Sequence, residues 1–303
     1  MVNQYEIIII GGGIAGLQAA IQLGRYKHKI AVIDSNDGRS TICRNYHNIL
    51  GWPEGVSGET LRGLGKKHAE RYGVSFIQNE VVKVEKNDDT FQIQCRSGDR
   101  FAAKRLLLAT GVKDNIPSIK NIYKCLGLTV YVCPDCDGYE VINKHVIVIG
   151  SGKPGANMAL TLSYFTSDIT FINHDWNKLD NEQMCLLKEK GILHIQDEVE
   201  EILLHEETSD FTGVRLKSGN IVEGNRGFLG FGGNKVRSEL AIQIGIERLE
   251  NKHIIVDPRT KMTNIQHVWA AGDIAVHSEQ TTIAMGDGMQ AAIWIHKSLL
   301  NEK

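Results

Sequence analysis

The strongest constraint on the fold of this chain is a glycine turn between two apolar runs, repeated 139 residues later. The first copy, YEIIIIGGGIAGLQAAIQLGRYKHKIAVIDS, runs from Tyr5 to Ser35. Its isoleucines at 7 to 10 predict a strand buried on both faces. Gly11, Gly13 and Gly16 follow in G-x-G-x-x-G spacing. These positions serve a tight turn, close approach of the backbone to a pyrophosphate, and close packing of helix on strand. The N-terminus of the following helix offers N–H groups and a positive dipole end to phosphate. Asp34, 18 residues beyond Gly16, ends the second apolar run, where an acid accepts from ribose hydroxyls. Together these residues predict a dinucleotide site.

The second copy, KHVIVIGSGKPGANMALTLSYFTSDITFINHD, runs from Lys144 to Asp175 and carries Gly150, Gly152 and Gly155. Such a repeat implies two bound dinucleotides, or one dinucleotide and a second copy that only keeps the fold.

Short alternating runs separate the two copies. VSFIQNEVVKVEK and TFQIQCRSGDRFAAKRLLLAT predict an antiparallel insertion, and LLLATG at 106–111 a buried strand ending at a glycine turn. After the second copy, EVEEILLHEE and GVRLKSGNIVEG predict a matching hairpin, and FLGFGG at 228–233 parallels LLLATG. The tail holds HVWAAGDIAV, a strand into a Gly-Asp turn, then an amphipathic helix through TTIAMGDGMQAAIWIHKSLL. The fold class is therefore α/β: two three-layer nucleotide-binding domains with parallel sheets and antiparallel hairpins, one domain inserted into the other. Residues 1–112 and 239–303 form the discontinuous domain, 117–231 the inserted one, and hinges fall near 112–117 and 231–238.

Composition narrows the partners. A chain of 303 residues can bury a sizeable core. Its net charge of -2 gives no electrostatic reason to expect nucleic acid or an anionic membrane. No apolar run approaches the roughly 20 residues that span a bilayer. IIIIGGG lacks the basic n-region and cleavage site of a signal peptide, so the expectation is a cytoplasmic protein. Thirty-one glycines against five prolines fit many tight turns rather than disorder.

Of the six cysteines, Cys43, Cys95, Cys125 and Cys185 are scattered, whereas Cys133 and Cys136 stand three apart in VYVCPDCDGYEV. Cys-x-x-Cys can hold half a zinc site, form a structural bridge, or cycle as a redox disulfide. Zinc normally takes four ligands, and there is neither a second C-x-x-C nor a clear H-x(3–5)-H pair. A structural bridge is rare in a reducing compartment. The redox reading is the strongest of the three, since a turn or helix start lowers the pKa of one thiol. Asp137, directly after the pair, reads either as an acid–base group or as a turn former.

Taken in order, Gly11-x-Gly13-x-x-Gly16, ATG at 109–111, the Cys133–Gly138 box, the second glycine turn and AAGD at 270–273 resemble the low-molecular-weight thioredoxin reductase family of flavoproteins. The resemblance spans essentially the whole chain. It implies FAD on the discontinuous domain and a pyridine nucleotide, NADH or NADPH, on the inserted one. Gly11, Gly13, Gly16 and Asp34 are then expected at the ADP half of FAD. Asn48 is expected near the flavin, Thr110 and Gly111 along the FAD site, Asp273 at the ribityl-phosphate region, and Gln280 and Thr281 by the isoalloxazine ring. Cys136 is implied as the thiol facing the flavin, Cys133 as the thiol that attacks substrate disulfide, and Asp137 as the acid–base group. The resemblance also implies a homodimer and a thioredoxin-like protein or other disulfide substrate. Tyr139 and Glu140 extend the box in a way similar to relatives that oxidise small dithiols, which commonly carry His where this chain has Asp137.

The resemblance breaks at one place. Typical members end the second copy's second strand with a His-Arg-Arg run that grips the 2′-phosphate of NADPH, and this chain offers Asn173, His174 and Asp175. Asp175, 20 residues past Gly155, resembles the ribose-binding acid of NAD sites and repels a 2′-phosphate. His174 is mostly neutral near pH 7, and Pro154 removes an N–H from the turn. The expectation departs from NADPH specificity and leaves three options: NADH, indifferent use of either nucleotide, or none. In the last, a protein such as ferredoxin or flavodoxin delivers electrons, or oxygen accepts them from a small dithiol.

Overall fold

The computed structural model of the chain describes residues 3–275 and 278–300. The chain divides into two compact units. The first comprises Met1–Thr41, Ser57–Lys113 and Lys235–Lys303, and the second Ile42–Val56 and Asp114–Asn234.

The first unit is built on one twisted sheet. Its strands are β1 (Asn3–Ile10), β2 (Ile30–Asp34), β3 (Ser75–Gln78), β4 (Val81–Asn87), β5 (Thr90–Cys95) and β6 (Arg100–Leu108), ordered β3-β2-β1-β6-β5-β4. β1 runs parallel to both β2 and β6, and the late strand Val268–Ala270 adds parallel to β6. β1 is central, so both its faces are covered and Ile7 to Ile10 are all buried. Ile8 and Ile10 pack with Leu106 and Leu108 on one face. Ile7 and Ile9 pack with Leu107 and Trp269 on the other. That is the period of two expected of a pleated strand.

Helix α1 (Ile14–Arg25) crosses the second of these faces beside the long helix Thr281–Leu300. The two helices approach so closely that a Cβ on Gly288 would strike the carbonyl oxygen of Ala15. The long helix buries Ala284, Asp287, Gly288, Ala291, Ala292, Ile295 and Leu299, one stripe at helical spacing.

One strand differs from expectation. The run VSFIQNEVVKVEK does not belong wholly to an antiparallel insertion: β3 pairs parallel with β2 at the edge of the main sheet, and only β4 and β5 continue antiparallel to β6. Alternation reports a half-buried strand but carries no information on the direction of its partner.

The second unit repeats the plan. Its five parallel strands lie in the order Leu193–Ile195, Ile169–Asn173, Val146–Gly150, Arg226–Gly230, Val130–Tyr131. An antiparallel layer of Val199–Leu204, Phe211–Leu216 and Ile221–Glu223 covers it. The excursion Ile42–Val56 packs with this unit, although its sequence neighbours on both sides belong to the first.

Candidate functional site

The first glycine turn is shaped around something outside the chain. Gly11 has φ +105°, and a Cβ there would overlap the carbonyl of Ala109; one on Gly16 would overlap the carbonyl of Gly11. These two glycines are required by the protein itself. Gly13 is different. It caps α1 with φ −74°, a conformation open to any residue, and a Cβ on it meets nothing within 4 Å. Neither backbone strain nor packing explains a glycine there, whereas a ligand lying against the turn does. The Gly11 N–H is committed to Ile33 O at 2.8 Å. Those of Gly12, Gly13 and Ile14 have no acceptor among the described residues and face the dipole end of α1.

Asp34 stands at the end of β2 beside this turn, close enough that a Cβ on Gly12 would lie 2.9 Å from its side chain. Its Oδ2 accepts from Arg62 Nη2 at 2.6 Å, while the same guanidinium donates to Asn36 Oδ1 at 2.8 Å and Gly12 O at 3.4 Å. Arg62 comes from the helix Gly58–Glu70, whose start is fixed by the Ser57 hydroxyl accepting from Thr60 N. Arg62 carried no sequence signal, because a single arginine on an amphipathic helix has no diagnostic spacing.

The Gly-Asp turn of AAGD lies in the same unit. Gly272 has φ +79° and donates its N–H to Asp287 Oδ2 at 3.3 Å, and Asp287 Oδ1 meets Lys261 Nζ at 2.8 Å. Asp287 thereby fixes the turn that presents Asp273. Asp273 Oδ2 is 3.3 Å from Arg39 Nη1, which also holds Glu279 Oε2 at 2.6 Å. Thr281 opens the long helix, and the Gln280 carbonyl accepts from Ala284 N at 2.9 Å. Thr110 donates its hydroxyl to Arg237 O at 2.6 Å, and Gly111 turns the chain with φ +65°. Arg39, Lys261 and Asp287 were missed by sequence reasoning, since their partners lie 15 to 240 positions away.

These residues fit FAD: Gly11, Gly13, Gly16 and Asp34 would hold its ADP half and Asp273 its ribityl phosphate. When bound there, FAD supplies two-electron exchange. The orphan N–H groups and the vacant Cβ position at Gly13 are the observations that carry the fit.

In the second unit, Cys133 immediately precedes a single helical turn, Pro134–Asp137. The N–H groups of Cys136 and Asp137 both return to Cys133 O, at 3.2 and 3.0 Å. These bonds close one turn, so the backbones of Cys133 and Cys136 lie next to each other. Both residues are half-buried. A Cβ on Gly138 would strike the ring of Phe165, so this residue must be glycine for the turn to lie against that ring.

Asp137 is half-buried, and burial, then the Glu140 carboxylate, pushes its pKa up to about 7. The 42–56 excursion reaches the same spot. His47 Nδ1 lies 3.9 Å from Glu140 Oε1. Burial, with the charge of Asp137 second, pushes the Cys43 thiol up to about 12. Asn48 also lies on this excursion, among the residues of the second unit.

The second glycine turn shares the first one's spacing but not its openness. Cβ atoms on Gly150 and Gly155 would fall 2.6 Å from Gly230 O and 2.5 Å from the Phe171 ring. One on Gly152 would meet Asn177 Cβ at 2.9 Å. Asn173 Oδ1 accepts from Gly152 N at 2.9 Å, Asn173 Nδ2 donates to Asn177 O at 2.7 Å, and Asn177 Nδ2 donates to Ser151 Oγ at 2.5 Å. His174 Nδ1 accepts from Val199 N at 2.9 Å, and Nε2 lies 3.8 Å from Asp175.

Two dinucleotide-type units, one with an open FAD turn and one carrying a dithiol box, define a flavin-dependent disulfide oxidoreductase. The chain belongs to the pyridine nucleotide-disulphide oxidoreductase family, whose model matches residues 5–288. It is 28% identical over 306 residues to a thioredoxin reductase of Rickettsia felis, covering 97% of this chain and 98% of the relative. Among solved structures it is similar to HlmI, with TM-score 0.88, 25% identity and coverage of 99% and 93% of the two chains. It is also similar to an oxidoreductase from Agrobacterium tumefaciens, with TM-score 0.81, 28% identity and coverage of 99% and 100%. The chain is thus thioredoxin reductase-like in family and fold. Among the described residues no helix is long and apolar enough to cross a membrane.

Proposed function

We propose that this protein exchanges an electron pair between FAD and a disulfide or dithiol substrate through Cys133 and Cys136. The observation that carries the reading is the single turn that sets Cys133, Cys136 and the half-buried Asp137 together, where burial pushes the Asp137 carboxyl up to about 7. A group balanced between its two protonation states near neutral pH both gives and takes a proton, as thiol–disulfide exchange requires. Structural turn formers have no need of that balance.

In the reductive direction the Cys133 thiolate attacks a substrate sulfur. A Cys133–substrate disulfide forms, and the substrate's own bond breaks, releasing one thiolate that takes its proton from Asp137. Cys136, its proton accepted by Asp137, then attacks Cys133. The second substrate thiolate departs and takes that proton back from Asp137, leaving the pair oxidised and Asp137 ionised. Two electrons and two protons have moved to the substrate. In the oxidative direction each bond change runs in reverse. The substrate class is a small redox protein of thioredoxin type or a small-molecule disulfide or dithiol, and the resemblance to thioredoxin reductase favours the protein.

Anaerobic addition of dithiothreitol to the FAD-loaded protein tests this. The flavin absorbance is expected to bleach in the wild type and to persist in Cys136→Ser on the same time scale. Equal bleaching rates in the two proteins would remove the cysteine pair from the pathway. Turnover of a thioredoxin disulfide against a small aromatic disulfide then separates the substrate classes.

A further inference from the structure

We propose that the second glycine turn is closed by its own chain and excludes a pyridine dinucleotide, with Asn177, Asn173 and Pro154 as the excluding residues. A dinucleotide pyrophosphate binds such a turn through two provisions, backbone N–H donors without protein partners and space over the glycines. The first turn has both. At the second turn all the donors but one are spent or missing. Ser151 N donates to Gly230 O at 3.1 Å, Gly152 N donates to Asn173 Oδ1 at 2.9 Å, Pro154 has no N–H, and Gly155 N donates to Ser151 O at 3.4 Å. Among the described residues only the N–H of Lys153 in this turn is left without an acceptor, and one donor does not cradle a pyrophosphate.

Space is spent as well. The three glycines are all explained by the protein: Gly150 against Gly230, Gly155 against Phe171, Gly152 against Asn177. None of them resembles Gly13, whose Cβ position is vacant. Asn177 is an exposed residue that reaches inward to Ser151, so it covers the turn from the solvent side, the side from which a phosphate arrives. Pro154 is itself packed by Gly232, where a Cβ would come within 2.9 Å of its ring. Just beyond, His174 Nδ1 accepts from Val199 N and Nε2 lies 3.8 Å from Asp175, so this ring does not stand in for an arginine fork.

The second unit therefore keeps the dinucleotide fold as a platform for the cysteine box. This assignment does not depend on the direction of exchange at the box, because it concerns binding alone.

Calorimetric titration of the FAD-loaded wild type with NADPH and with NADH tests it without reference to turnover. No saturable binding is expected at or below about 1 mM for either nucleotide. Saturable binding of either in that range would overturn the proposal. The companion variant, Asn177→Gly with Pro154→Thr, removes the cover and restores an N–H at exposed turn positions. It is expected to retain FAD and to gain at least ~10-fold in affinity for NADH, with NADPH weaker because of Asp175. A folded, FAD-containing variant that binds neither nucleotide better than the wild type would show that these residues are not the excluding ones. Loss of the Cys136-dependent bleaching described above would instead count against the exchange reaction and leave this assignment standing.

Discussion

The guanidinium of Arg62 holds the carboxylate of Asp34 at 2.6 Å and, with the same planar group, reaches Gly12 O and Asn36 Oδ1. One side chain thus ties Asp34 to the glycine turn and to the loop after β2. A charge-assisted contact of this kind positions rather than merely stabilises, because both partners keep fixed planes. Replacing Arg62 with Ala is expected to weaken FAD retention about 10-fold, a loss of about 1.4 kcal/mol. Flavin fluorescence on dilution reads the dissociation constant directly. Unchanged retention in a folded variant would show that Asp34 needs no such support.

Lys261 and Asp287 form an ion pair whose side chains are 11% and 8% exposed. Removing the cation alone leaves a buried carboxylate without its charge partner while Gly272 N still donates to it. Lys261→Met is expected to cost roughly 3 kcal/mol and to lower the melting temperature by several degrees. Adding Asp287→Asn, which keeps an acceptor for Gly272, is expected to recover part of that loss. Thermal melts followed by flavin release measure both.

Burial, then the Glu140 carboxylate, pushes the Asp137 carboxyl up from its ordinary value of 3.8 to about 7 in the folded chain. The unfolded chain therefore releases this proton first, and the stability that the group contributes falls as pH rises from about 4 towards 7. Asp137→Asn is expected to melt with the wild type at pH 4 and above it at pH 8. Its thiol-exchange rate should also lack the inflection near pH 7 that is expected of the wild type. Parallel melting curves across that range would contradict the assigned burial.

The thiols of Cys43, Cys95 and Cys125 are pushed up by burial, to about 12, 11 and 11 respectively. Only thiolate reacts with iodoacetamide. Alkylation of the reduced native protein at pH 8 is expected to spare all three and to label Cys185, which is exposed, together with the box cysteines. Peptide mass spectrometry reads the pattern. Early labelling of Cys43 would mean that the 42–56 excursion opens in solution.

Gly138 lies against Phe165 with no room for a methyl group. Gly138→Ala is expected to destabilise by about 1–3 kcal/mol through overpacking. It should also slow dithiothreitol-driven bleaching, because the turn that carries Cys136 must shift. Bleaching at the wild-type rate would show that the box tolerates displacement.

Much of this protein was legible without coordinates, for a physical reason. The two glycine turns, the buried isoleucine strand and the Cys-x-x-Cys box depend on neighbours within a few residues, so their chemistry is written locally. That made the α/β class readable from sequence, together with the glycine turn and the cysteine box on which the proposed function rests. Other features depended on residues distant in sequence. Arg39, Arg62, Lys261 and Asp287 matter through partners that only folding brings near. β3 took its parallel partner from a sheet that alternation cannot report. Ile42–Val56 joined the second unit although its sequence neighbours on both sides belong to the first.

The two turns state the division most plainly. Their glycine spacing is the same, and sequence determined that both would fold as strand, turn and helix. Whether each stays open was decided by side chains arriving from elsewhere. Asn177, held 26 residues beyond Ser151, closes one turn, and nothing among the described residues covers Gly13 in the other. Spacing fixes backbone geometry, but occupancy of the space above it is a tertiary property.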